Sequence, residues 1–120
     1  MKFEGTWKGT GVVLVRDGTT TPTSVTSVNK NYMVEIQRFT KKCYLVKITE
    51  DETVIYYSSV FTAEDNKLEG EFAVQNGFGN LILVLKSDKK AKLFFSTAAS
   101  SESGIINTAG TVKLCRLCIC

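Results

Sequence analysis

Three cysteines close the chain as Cys115-x-x-Cys118-x-Cys120, and Cys43 supplies a fourth thiol. Zinc accepts four sulfurs in a tetrahedral site. The local pattern argues against one here. TVKLCRLCI reads as a strand, and a strand sends Cys115 to one face and Cys118 and Cys120 to the other. One ion could not collect all three without a bulge, and cysteine is a common small buried hydrophobe. No metal or other cofactor is therefore expected. Four cysteines without regular loop spacing do not make a secreted disulfide framework, so reduced thiols in the cytoplasm are the simpler account. Histidine is absent from the chain. That removes Ser-His-Asp and Cys-His catalysis, His-ligated haem and His-containing zinc sites. A cysteine nucleophile without a partner base is a poor enzyme, so no catalytic residue is assigned.

The elements that would position any site are strands. The chain has 120 residues, 43% of them hydrophobic, enough for one domain over residues 1–120 with one core. Alternation runs almost throughout and helical periodicity is nearly missing. TWKGTGVVLVR stops at Asp17-Gly18, and DGTTTPTS forms a loop. SVTSVNK, NYMVEIQRF, CYLVKIT, TVIYYSSVFT and KLEGEFAVQ follow as separate strands, with a turn at Asn76-Gly77. NLILVLK, AKLFFST, IINTAG and TVKLCRLCI complete the set, with ASSESG as a flexible connector. No stretch has room for a crossover helix, so pairing should be antiparallel. The expected fold is all-β: a closed antiparallel up-and-down barrel of about eight to ten strands. Closure also removes the edges that this proline-poor chain does little to protect.

The two ends of the sequence then acquire a meaning. Phe3, Gly5, Trp7, Gly9, Gly11, Val13 and Val15 share one parity on the first strand, which turns Trp7 inward among glycines. On the last strand Arg116 shares a face with Val112 and Leu114. An arginine on an apolar face is costly unless its charge is satisfied. Laying it over an aromatic ring at a barrel end is one solution. Gly5-Thr6-Trp7 together with Arg116 resembles the signature of the calycins: lipocalins, fatty-acid-binding proteins and avidins. FEGTWK resembles the opening of intracellular fatty-acid-binding proteins, and GTWKGTG that of nitrobindin-type barrels. The resemblance implies a calycin-like barrel whose end is closed by Arg116 packed across Trp7. Three departures stand out. No helical lid follows the first strand, Arg116-Leu117-Cys118 replaces the Arg-x-Tyr of fatty-acid-binding proteins, and the haem-binding histidine of nitrobindins has no counterpart.

A barrel of this size is either filled by its own side chains or holds one small ligand. The residues expected to line a ligand site are Val15, Tyr32, Ile36, Arg38, Tyr44, Tyr57, Phe72, Leu83 and Phe95, with Arg38 lending charge near the mouth. Aliphatic walls with tyrosine hydroxyls suit a small apolar or amphipathic molecule. The alternative is a filled barrel acting through its loops on a protein partner, as a proteinase inhibitor would. Net charge is only +3, and arginine occurs only as Arg16, Arg38 and Arg116, so nucleic acid is not an expected partner. The lysine runs Lys41-Lys42 and Lys89-Lys90 read as solvated turns, with weak attraction to an anionic membrane as the sharper reading. The oligomeric state is left open.

Overall fold

A computed structural model describes residues 3–56 and 60–117, with side chains described outside 54–62. The strands are β1 (Gly5–Asp17), β2 (Ser24–Thr40), β3 (Cys43–Glu50), β4 (Thr53–Tyr56), β5 (Val60–Glu64), β6 (Lys67–Val74), β7 (Gly77–Leu85), β8 (Lys90–Ser101) and β9 (Gly104–Arg116). All pairings are antiparallel, and β1 also pairs with β9, so the ends of the chain meet. β4 and β5 both pair with β3 and share one position in the wall. The result is a nearly closed barrel of eight antiparallel strands with one unsealed seam, and no helix occurs among the described residues. No described ladder joins β4 to β6, which locates the seam beside these strands.

Alternation explains which side chains fill the barrel. Trp7 and Val13 on β1, Tyr32, Val34 and Ile36 on β2, and Leu81, Leu83 and Leu85 on β7 are buried at every second position. No polar or charged residue is buried among those described. Burying each large apolar side chain contributes roughly 1.5–3 kcal/mol, so the core supplies most of the stabilisation.

Several boundaries differ from the sequence expectation. SVTSVNK and NYMVEIQRF form one strand, because Asn29, Lys30 and Asn31 pair with Val12, Gly11 and Thr10. The neighbouring strand satisfies backbone groups at residues of low strand propensity. The ASSESG connector is mostly strand for the same reason: Ala98 to Ser101 pair with Asn107 to Gly104. The expected Asn76-Gly77 turn shifts by one residue. Val74 pairs with Gly77, so Gln75 and Asn76 make the turn and Asn76 takes the positive φ of 61°. Asparagine tolerates that conformation better than most residues.

Candidate functional site

The barrel has two different ends. At one, Trp7 is fully buried and directly opposite Arg116 in the β1–β9 register. The guanidinium carbon lies 4.2 Å from the indole ring centre. Arg116 Nε donates to the Asp88 carbonyl at 2.7 Å, and a second guanidinium nitrogen donates to the Glu4 carbonyl. The indole N–H donates to the Phe3 carbonyl at 3.1 Å. Phe3 in turn meets Tyr44 edge-on at 5.4 Å between ring centres. Arg38 donates to the Tyr44 hydroxyl at 3.2 Å and pairs with Glu4 at 3.2 Å. The Tyr44 contact, with Glu4 assisting, raises the Arg38 pKa further and keeps its charge fixed. Two arginines thus cover an aromatic cluster, and this end is sealed. Arg38, expected near a mouth, belongs to the seal.

The middle of the barrel is filled. Ile36, Tyr44, Phe72 and Leu83 retain 5%, 4%, 3% and 0% of their surface. All four belong to the buried core cluster. Glycines allow the filling. A Cβ on Gly79 would strike the Phe72 ring, and one on Gly110 the Phe95 ring. The tip of each aromatic ring therefore lies close against a bare backbone.

Tyr32 and Phe95 form the upper boundary of the core, edge to face at 5.7 Å. Beyond them the inward faces of β1, β2, β8 and β9 continue with Val15, Val28, Lys30, Thr97, Ile106 and Thr108. These strands have 12 to 17 residues, whereas β3 has 8 and β4 has 4. β2 runs on from Asn31 to Ser24 past the Tyr32–Glu50 pair at which its ladder with β3 ends, so this inner surface forms a trough with no described ladder along the β3 side. Val28 is 43% exposed although it lies on the same face as fully buried Val34. At the trough floor the Tyr32 hydroxyl donates to Glu50 at 2.6 Å, and Lys30 Nζ contacts the other Glu50 oxygen at 3.0 Å. The Lys30 and Glu50 side chains are 31% and 19% exposed, so the pair is sheltered but reachable.

Of the expected ligand residues, the structure brings Val15, Tyr32 and Phe95 to this trough. Tyr57 lies outside the described residues. Lys30, Glu50 and Val28 were not anticipated. Their signal was present: Lys30 keeps the parity of Tyr32 and Val34, and Glu50 that of Val46 and Ile48. Splitting β2 at Asn29–Asn31 concealed the first of these. Among the described residues no three potential metal ligands cluster. Cys43 and Cys115 are free thiols, and Cys118 and Cys120 lie outside the described residues.

The sequence matches no protein-family model. It also matches no curated protein. Solved structures share the fold. A protein of unknown function of the DUF3598 family from Nostoc punctiforme superposes with a TM-score of 0.60 at 11% identity, over 97% of this chain and 48% of that one. This chain therefore spans about half of that protein's length. The S-type phycobiliprotein lyase CPES from Guillardia theta superposes with a TM-score of 0.58 at 9% identity, over 99% of this chain and 90% of that one. At such identities the likeness shows a shared barrel fold.

Proposed function

We propose that the protein binds a small amphipathic molecule in the trough at the open end of the barrel. The apolar body would rest on Val15, Val28 and Ile106, above the Tyr32–Phe95 pair. Its polar end would meet Lys30 and Glu50. The observation that carries this reading is the partly sheltered Lys30–Glu50–Tyr32 cluster beside inward-facing Val28, which stays 43% exposed. Apolar walls with a few convergent polar groups are the usual make-up of small-molecule sites. The reading is one of binding without catalysis, in a reducing compartment where the thiols stay free.

Two probes test it: a fluorescent fatty acid, and a linear tetrapyrrole, chosen because one fold neighbour is a phycobiliprotein lyase. Saturable, competable binding with one site per chain, weakened by Lys30→Ala and by Glu50→Ala, is the expected result. Absence of saturable binding for both probes would discard the trough. The filled interior favours a second reading, in which loops act on a protein partner and a proteinase panel would show inhibition.

A further inference from the structure

Three strand segments are apolar on both faces: Val12-Val13-Leu14-Val15, Leu81-Ile82-Leu83-Val84-Leu85 and Leu93-Phe94-Phe95. Continuous apolar runs belong to strands covered on both sides. The core covers only one side here. On the outer wall of adjacent strands β1, β9, β8 and β7, Val12, Thr111, Phe94 and Ile82 stand in one cross-strand row. Leu14, Ala109, Ser96 and Asn80 form the next. Neither row holds a charge. Phe78 is 64% exposed, Leu14 51% and Val12 48%, with Val25 and Ile105 also open on the same wall.

We propose that this outer face of β1–β9–β8–β7 is a self-association surface, where a second copy of the chain packs sheet against sheet. Three features select a copy over another occupant. The first is area. Val12, Leu14, Val25, Phe78, Phe94 and Ile105 expose about 600 Å² together, at the upper end of what monomers carry. Two copies would bury about 1,200 Å², the lower bound of a specific interface. The second is charge. An isologous contact sets a patch against itself, so charges of one sign within it would repel. This face leaves its two central rows neutral and carries both signs around them: Arg16, Lys92 and Lys113, with Glu69 and Glu71 on the flanking strand. The third is shape. Phe78 and Phe94 line two adjoining shallow depressions on the same wall. An apolar side chain of one copy has an apolar-lined depression to meet on the other.

Sedimentation velocity of the full chain under reducing conditions, over a concentration series up to about 100 µM, is the test. A concentration-dependent dimer is expected. Leu14→Glu and Phe94→Glu each place a carboxylate in a neutral row and should raise the dimer dissociation constant at least about ten-fold. Both positions face solvent in the monomer, so an unchanged circular dichroism spectrum and melting curve at low concentration will show that the variants fold. A monomer at the highest concentration overturns the proposal, as does a dimer indifferent to both substitutions or one that disappears on reduction. Ligand titration of the trough is a separate readout, since neither residue faces it.

Discussion

The sealed and open ends of the barrel are built from the same strands, yet they solve opposite problems. At the sealed end the inward positions carry Phe3, Trp7, Tyr44 and Arg116, and the polar atoms of this cluster find carbonyl, hydroxyl or carboxylate partners. At the open end the inward positions are small or short: Val15, Val28, Thr97, Thr108. β6 and β7 come up beside them, with Phe72 and Gly79 in the cross-strand row of Thr97, Thr108 and Val15, whereas the described ladder from β2 to β3 stops at Tyr32–Glu50. What separates stability from binding surface here is side-chain volume along a strand and the length of the strand opposite. The contrast predicts that substitutions at the sealed end lower stability, whereas those at the open end lower affinity and leave stability nearly intact.

The largest effect should come from Trp7→Ala. Truncating a fully buried aromatic costs about 3–5 kcal/mol, and here it also strips Arg116 of the ring it covers. A denaturant titration reads the loss directly; a shift below about 1 kcal/mol would mean that the indole is not the plug of that end.

Arg116→Leu should cost less, about 1.5–3 kcal/mol, the usual worth of charge-assisted hydrogen bonds. The variant keeps the stem's apolar contact with Trp7 but leaves the Asp88 and Glu4 carbonyls without their donor. Arg116→Lys separates charge from shape. It retains the cation over the ring but cannot span both carbonyls, so its unfolding midpoint should fall between wild type and Leu.

Gly110→Ala tests the boundary between the two regions. The added methyl enters the volume of the Phe95 ring, which must rotate or shift. Overpacking of this kind costs about 1–3 kcal/mol. Because Phe95 forms the trough floor with Tyr32, the same substitution should also weaken ligand binding. A change in stability with unaltered affinity would detach the floor from the site.

These expectations show how unevenly the two ends could be read from the sequence. Gly5-Thr6-Trp7 and Arg116 were legible because both residues violate the local pattern. One is a lone indole among glycines, the other a charge on an apolar face. Strand parity on β1 then sufficed to turn Trp7 inward. The open end carries no such violation. Lys30 lies between Asn29 and Asn31, in a stretch whose propensity reads as a break, and its pairing with Gly11, flanked by Val12–Asn29 and Thr10–Asn31, holds it in strand. Whether a barrel is hollow depends on how side chains from different strands interdigitate, and alternation within one strand is blind to that. The inward face of Ile36, Phe72 and Leu83 was legible, but how tightly they pack across the barrel was not. The apolar outer wall was written in Val12 to Val15 and Leu93 to Phe95, but a barrel hypothesis uses only one side of each strand.

The smallest stability effect belongs to the open end. Lys30→Ala removes one member of a half-sheltered ion pair, and such pairs contribute about 1 kcal/mol or less. Glu50 keeps its hydrogen bond from Tyr32, so it is not stranded. The melting curve should barely move while probe affinity falls. The loop beside this end adds a pH signature. Asp17 accepts hydrogen bonds from the Thr19 hydroxyl and from the Thr19 backbone N–H, and these lower its pKa from the ordinary value. A carboxylate depressed in the folded state contributes above its unfolded pKa and loses that contribution as acid carries the solution down through the folded one. The β1–β2 loop should therefore keep its order through neutral and mildly acidic solution and lose it only below the usual aspartate range. Carboxyl-resonance titration of Asp17 by NMR, with Thr19→Val as control, reads this. A titration midpoint in Thr19→Val equal to that of wild type would show that the Thr19 hydroxyl does not hold the carboxylate.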